Sequence, residues 1–168
     1  MNKLLKKYIS QLVEQDQKFR KNLVREELGS YLVYLVDSVH NQLIHRILDQ
    51  HDYPTQRLIG RQGMKDFWLL VQHQDLDIKL QEGCLANSDF EPREKALLTD
   101  RVLINKGEKQ IYGTQFYRNS TGKLIPRPIK KISQLEKVRK SVGLIPFRDY
   151  KKQMKKIGLK TNQLKKTK

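Results

Sequence analysis

The residues most able to do chemistry in this sequence are polar side chains placed within or beside apolar stretches. Gln72 and His73 directly follow the apolar run 67–71. A histidine at the end of an apolar helix can act as a general acid or base, because its ordinary pKa lies near neutrality. Asp75 follows two residues later, where it would either orient the imidazole or serve as a turn residue. The competing interpretation of His73 is a partly buried, hydrogen-bonded structural histidine.

A charged pair interrupts a second apolar segment. Asp100 and Arg101 stand between Leu98 and Val102, and such charges are costly to bury unless both are paired. We predict that Asp100 joins the catalytic residues. Arg101 would bind a carboxylate or phosphate through two parallel hydrogen bonds. The alternative is an internal Asp–Arg bridge.

A third candidate segment has an extended pattern. Gln110 and Tyr112 share one face of it, because alternate residues of a strand point to opposite sides. Gly113 marks a bulge or the close approach of another backbone or a ligand. We therefore predict substrate contacts from Gln110, Tyr112 and Gln115, together with Gln72 and Arg101. Ordinary packing of Tyr112 is the alternative.

Asp37, His40 and Asn41 occupy one face of a predicted helix at positions i, i+3 and i+4. An Asp-x-x-His pair resembles half of a metal site in a helical bundle. The sequence has no second pair of this kind and no His-Glu-x-x-His motif, so a polar network is favoured over a metal. We predict substrate contacts from Asp37 and Asn41, no metal site and no evident cofactor.

Two further features have ordinary interpretations. Asp16 and Arg20 are spaced i, i+4, which is typical of a solvated salt bridge on a helix. Cys84 is the single cysteine, which excludes an internal disulfide, and it is predicted to be a buried thiol rather than a nucleophile.

The elements that must position these residues are mostly helical. Apolar spacing predicts helices over about 3–24, 31–49, 62–74 and 76–86, and a fifth that begins at Pro92. On the second helix the predicted core stripe is Leu32, Val36, Val39, Leu43 and Ile47. Two extended runs, 110–118 and 123–129, flank a turn and indicate a β-hairpin. The predicted fold is mainly α (α+β), with about six helices and one hairpin near 110–129.

The charge is concentrated at one end of the chain. The 168 residues carry 34 Lys+Arg and 18 Asp+Glu, a formal net charge of +16. Residues 101–168 hold 20 of the basic and 3 of the acidic side chains. We expect one globular domain over 1–150 and a basic, flexible tail over 151–168. The alternative function is a nucleic-acid-binding or protein-interaction module that acts through the basic C-terminal half. Its candidate residues for contact with a polyanion are Lys130, Lys131, Arg139, Lys140, Lys151, Lys152, Lys155 and Lys156.

Several ordered motifs carry a family resemblance over about residues 12–154. They include Gln72-His73-Gln74-Asp75, Asp100-Arg101-Val102, Gly107, and Gln110-Ile111-Tyr112-Gly113-Thr114-Gln115. The chain resembles a bacterial family of domains of unknown function, number six-six-two-four, although Gln74 stands where alanine is usual. The resemblance implies a shared fold and a site at the motif positions, without naming a reaction.

The function expected from these residues is an enzyme-like domain that binds a small or anionic substrate. His73, Asp75 and Asp100 would form the catalytic set, in a cleft between the helices and the hairpin. Because the longest apolar run, 31–36, is too short to span a bilayer and the cysteine content is low, we expect a cytoplasmic protein without a transmembrane segment. The sequence leaves its reaction, substrate and oligomeric state open.

Overall fold

The structure is a computed structural model that describes the backbone of residues 1–23 and 29–166 and the side chains of 1–21 and 31–157. In this described part the chain forms seven α-helices and one two-stranded antiparallel hairpin, which confirms the mainly α class. The helices are α1 (Lys3–Leu23), α2 (Gly29–His51), α3 (Gln56–Gln72), α4 (Ile78–Asn87), α5 (Pro92–Asn105), α6 (Leu135–Ser141) and α7 (Phe147–Lys166). The strands are β1 (Phe116–Arg118) and β2 (Leu124–Pro126).

The chain divides into two compact units, Met1–Glu94 and Lys95–Lys168. The boundary between the two units falls inside α5, and the single domain expected over 1–150 stays a prediction. The sequence shows no linker composition at this boundary, because the boundary lies within a helix.

The first unit contains α1 to α4. Its core is built by apolar residues at helical spacing, among them Leu5, Ile9 and Leu12 of α1, which are all at most 6% exposed. Phe67 of α3 is fully buried and stacks on Phe90 with ring centroids 6.1 Å apart.

The buried face of α2 differs from the predicted one. Val39, expected in the core stripe, is 57% exposed, whereas His40 and Ile44, which lie outside that stripe, are buried at 4% and 0%. Ile47 belongs to the predicted stripe and is buried at 3%. Apolar residues occur on several sides of α2, so their periodicity does not fix which side turns inward. The observed orientation carries the imidazole of His40 into the unit.

Helix α3 begins before its predicted start at residue 62 and contains a kink. Thr55 caps its N-terminus by accepting the N–H of Leu58 at 3.3 Å. Gly60 then adopts φ 72° and ψ 169°, outside the helical region, a conformation that favours glycine. The straight part that follows leads to His73, whose backbone N–H closes the last turn on Leu70 O at 3.1 Å.

The second unit contains most of α5, the hairpin and the last two helices. The hairpin pairs Phe116 with Pro126 and Arg118 with Leu124, so its regular strands are shorter than the predicted runs. Gln110 adds an isolated bridge to Ile129. Phe116 packs edge-on against Tyr150 of α7, with ring centroids 5.7 Å apart.

The basic C-terminal segment is helical as far as Lys166. Helix α7 runs without interruption across residue 150, and the flexibility expected of residues 151–168 stays a prediction. Lysine is a good helix former, and the first turns of α7 are anchored by Phe147, which is 8% exposed. Residues 167–168 lie outside the described part. Among the described residues, no helix is both long enough and apolar enough to cross a membrane.

Candidate active site

Asp16 is the centre of a buried polar cluster in the first unit. Its side chain, in the middle of α1, is fully buried. One carboxylate oxygen lies 2.9 Å from Arg20 Nε, and the other accepts Gln17 Nε2 at 2.7 Å. The pair with Arg20 was expected to be solvated, and this expectation is wrong for Asp16, because the face of α1 that carries it turns into the unit.

His73 reaches the same carboxylate from the end of α3. Its Nδ1 lies 3.1 Å from Asp16 Oδ2, and its side chain is 13% exposed. The contact lacks the alignment of a hydrogen bond, so Nδ1 is buried without a hydrogen-bond partner in the described chain. From the sequence, Asp75 was expected either to orient this imidazole or to serve as a turn residue, and the carboxylate that lies against the imidazole is that of Asp16.

Helix α2 contributes two more members. Arg20 Nη2 forms a short ion pair with Asp37 Oδ1 and thereby bridges two carboxylates. His40 Nδ1 lies 3.8 Å from Asp16 Oδ1, too far for a hydrogen bond, and it is also buried without a partner among the described residues. We call Asp16, Arg20, Asp37, His40 and His73 the Asp16 cluster.

The electrostatics of the cluster follow from burial and close charges. Burial raises the pKa of Asp16, but His73 and Arg20 outweigh it and hold that pKa below its ordinary value. Burial dominates at Asp37 and raises the pKa of its carboxyl despite Arg20. Burial likewise lowers the pKa of His40, although Asp16 opposes the shift. The cluster therefore holds an ionised Asp16 beside a neutral His40 at neutral pH.

An open cavity of about 580 Å³ lies beside the cluster, and Asp37 and His73 form part of its wall. We call it the His73 cavity. The residues that line it come from α2 and from the segment after α3, namely Val33, Tyr34, Asp37, Ser38, Asn41, Gln42, His73, Gln74, Asp75, Leu76 and Asp77. This volume suits a small molecule. Four of the predicted site residues, His73, Asp75, Asp37 and Asn41, are thus brought together.

Asp77 forms a second carboxylate–histidine pair at the edge of this cavity. It accepts His45 Nε2 at 2.8 Å and Asn41 Nδ2 at 3.1 Å, and it caps α4 by accepting the N–H of Leu80 at 2.9 Å. Burial raises the pKa of Asp77, but these hydrogen bonds outweigh it and lower that pKa below 3.8. His45 is about half exposed, so this pair belongs to the surface.

The other predicted site residues are used within their own parts of the chain. The Gln72 carbonyl accepts Gln81 Nε2 at 3.4 Å. Asp100, in the second unit, is fully buried and accepts the N–H groups of Ile111, Tyr112 and Thr114 at 2.7–2.9 Å. Asp100 also accepts the Thr114 hydroxyl at 3.0 Å. These contacts organise a loop of the second unit, and Asp100 is not among the residues that line the His73 cavity.

Gln110 and Gln115 fix the start of the hairpin. The Gln110 amide donates to the carbonyls of Gln115 and Arg127 at 3.0 and 2.8 Å, and it accepts the Gln115 N–H at 2.8 Å. Tyr112 supplies its carbonyl to Arg139, and Arg101 is half-buried on α5. These contacts give Gln110 and Gln115 a structural role in the second unit.

Arg139 does not belong to a surface interface, which corrects its place among the basic candidates. It is fully buried and donates to Ile145 O at 2.9 Å and to Tyr112 O at 2.5 Å. Its guanidinium also lies over the rings of Phe147 and Tyr150, 5.5 and 5.0 Å from their centroids. The remaining basic candidates are exposed, namely Lys130, Lys131, Lys140, Lys151, Lys152, Lys155 and Lys156.

Comparison with known proteins identifies a family without naming a reaction. The model of a family described as "Family of unknown function (DUF6624)" matches residues 6–162. This range contains the whole Asp16 cluster and the His73 cavity. No curated protein and no solved structure matches the chain significantly.

Proposed function

The chain belongs to the DUF6624 family of unknown function, and we propose that it is an enzyme-like protein that acts by proton transfer on a small polar molecule in the His73 cavity. The observation that carries the proposal is the contact between fully buried Asp16 and His73, which is itself part of the cavity wall. A buried carboxylate that holds an imidazole at a cavity is an arrangement suited to general acid–base chemistry.

The roles follow from the contacts. His73 is the group that exchanges a proton with the bound molecule, and Asp16 lies against the ring and orients it. Asn41 and Ser38 offer hydrogen bonds from the facing helix. Asp16 thus takes the role that the sequence had given to Asp75, which remains a wall residue of the cavity.

The wall also bears on the class of substrate. Three carboxylates, Asp37, Asp75 and Asp77, line the His73 cavity, and its described lining includes no lysine or arginine. Negative walls repel an anion and favour a neutral or cationic group. We therefore propose a neutral or amine-bearing substrate in place of the small or anionic one first expected. We also propose a cytoplasmic location, because a sequence with a single cysteine does not rely on an internal disulfide.

The test compares two histidine variants. Purified wild type, His73→Gln and His51→Gln are each incubated with a panel of small polar metabolites, and consumption and binding are followed by mass spectrometry and NMR. His51 ends α2 and is not among the residues that line the His73 cavity, so H51Q is the matched control. Wild type and H51Q should consume the same compound and H73Q should not. Equal consumption by H73Q, or no ligand for the wild type, contradicts the proposal.

The exposed lysines support a second candidate function, the binding of a polyanion. Lys151, Lys152, Lys155 and Lys156 are all exposed on α7, at spacings that place them along one side of the helix. Binding of duplex DNA or RNA should weaken steeply with salt. The four-fold Lys→Gln variant should lose this binding, and salt-independent or unchanged binding contradicts it.

A further inference from the structure

The geometry points to a binding site for a divalent transition-metal ion in the Asp16 cluster, held by Asp16, Asp37 and His73. One ligand atom from each of these residues lies within 4.8 Å of the others. Bonds from such ions to oxygen and nitrogen are about 2.0–2.2 Å, so two donors on one ion stand up to about 4.4 Å apart. A small side-chain adjustment brings the three donors onto one ion.

The buried Nδ1 of His40, which has no hydrogen-bond partner among the described residues, is the independent sign that the cluster takes a ligand. Nδ1 of His73 and Nδ1 of His40 are both buried, and neither has a hydrogen-bond partner in the described part of the chain. His40 is only 4% exposed and points this atom at Asp16 from 3.8 Å. Buried polar atoms are almost always paired, and an orphan calls for a missing water or ion. His73 Nδ1 has the Asp16 carboxylate within 3.1 Å, whereas a completed polar network would not leave the more deeply buried His40 Nδ1 without a partner.

Arg20 acts as the counter-charge of the cluster while no metal is bound. Its guanidinium bridges Asp16 and Asp37, the two carboxylates that would bind the ion. The side chain is 25% exposed and stands in the second half of α1, so it can move towards solvent. A divalent ion and Arg20 would therefore compete for the same oxygens.

The donor set selects the kind of ion. Two carboxylates and an imidazole suit zinc, iron, manganese or cobalt, whereas calcium and magnesium prefer oxygen ligands alone. The site is formed by three helices, and His73 joins it at a cavity wall. One side of the ion therefore remains open to the cavity, as in catalytic rather than structural metal sites.

This inference rests on the proposed function only for its location beside the His73 cavity. An ion on Nδ1 would make His73 a ligand, and the Nε2–H would remain as a hydrogen-bond donor. The proton would then come from a water on the ion, as bound water is acidified by such metals. Metal uptake itself requires no substrate and no turnover.

The experiment titrates Zn²⁺ and Co²⁺ into the full chain after treatment with a chelator. Calorimetry gives the stoichiometry and affinity, and Co²⁺ absorption reports coordination directly. We expect one ion per chain, with Mg²⁺ and Ca²⁺ far weaker. His73→Gln and Asp37→Asn should each bind at least about a hundredfold more weakly, since even outer-shell changes cost ten- to a hundredfold. Asp16 is fully buried, and its replacement would also disturb folding, so the test uses variants of His73 and Asp37 instead.

Two further variants separate a metal site from general electrostatics. Asp77→Asn removes a carboxylate from the same cavity wall but lies outside the three-ligand group, so its affinity should match the wild type. Arg20→Gln removes the competing cation and should bind the ion more tightly. A general negative field would instead weaken binding equally in the Asp37 and Asp77 variants.

The inference is overturned if the wild type takes up neither ion, or if H73Q and D37N bind as well as D77N. Its failure is distinguishable from failure of the proposed function. Consumption of a substrate by a chain that takes up neither ion would overturn the metal site and leave the proton-transfer proposal intact. Metal binding with the expected variant pattern, together with no ligand and no turnover in the metabolite panel, would overturn the proton-transfer proposal and leave the metal site intact.

Discussion

Asp100 accepts two hydrogen bonds from Thr114, one from its backbone N–H at 2.9 Å and one from its hydroxyl at 3.0 Å. Both residues are buried, at 0% and 4% exposure. The same carboxylate accepts the N–H groups of Ile111 and Tyr112. A buried aspartate thus shapes the loop that precedes the hairpin.

Thr114→Val should lower the free energy of unfolding by about 1.5–3 kcal/mol, the usual value of a hydrogen bond to a charged group. Urea denaturation measures the change. Thr121→Val is the matched control, because Thr121 is exposed in the hairpin turn and its change should stay within about 0.5 kcal/mol. Equal effects of the two variants would contradict the role given to Asp100.

Replacement of buried Arg139 by lysine should destabilise the second unit. Lysine cannot supply both the donor to Ile145 O and the donor to Tyr112 O from one planar group, and it loses the contact with two rings. We expect a loss of about 2–3 kcal/mol in denaturation. Arg148→Lys, at a side chain 79% exposed, should be nearly neutral. A stable Arg139→Lys chain would show that the guanidinium contacts contribute little.

The thiol of Cys84 should be inert in the folded chain. It is fully buried in α4, and burial raises the pKa of this thiol to about 12, so almost no reactive thiolate exists at neutral pH. A disulfide reagent should modify no thiol in native buffer and one per chain in denaturant. Rapid labelling of the native protein would indicate that α4 opens readily.

Asp77 should contribute stability that depends on pH. Its pKa is lower in the folded chain than its ordinary value of 3.8, so its contribution is present above that value and is lost as the pH falls through the folded pKa. Asp77→Asn keeps an acceptor for the helix cap but loses the carboxylate charge that lies 2.8 Å from His45 Nε2. The variant should be less stable by about 0.5–1 kcal/mol at neutral pH.

The measurement for Asp77 is urea denaturation of wild type and variant over a range of pH. The difference between the two chains should shrink towards zero only at a pH below the ordinary carboxyl value of 3.8, where the wild-type carboxyl becomes protonated. A difference that stays constant down to that pH would mean that the carboxylate charge has no part in the stability.

The sequence was sufficient for the features that depend on local periodicity. Helical apolar spacing predicted α1, α4 and α5 nearly at their observed positions, because a core-facing helix repeats its apolar residues every three or four positions. The hairpin followed from its turn residues, although Gln110 and Asp100 replace regular strand pairing before β1. The family motifs also predicted the DUF6624 assignment, which the match over residues 6–162 confirms.

The Asp16 cluster depended on contacts that no local pattern encodes. The sequence drew attention to His73 and to the Asp37-x-x-His40 pair, and it found no second half for a metal site. The residues that complete the three-ligand group with Asp37 are Asp16 on α1 and His73 at the end of α3, which are far apart in the chain. Only the packing of three helices brings Asp16 within 3.1 Å of His73.

By itself, then, the sequence determined the helical class, the hairpin and the family, and it predicted a role for His73. Tertiary structure alone decided that Asp16 is buried rather than solvated, that α2 turns His40 inward, and that Arg139 is internal rather than a surface contact. Residue types and spacing fix which side chains share a face of one helix. Which face is covered, and by which distant residues, depends on the packing of the other helices against it.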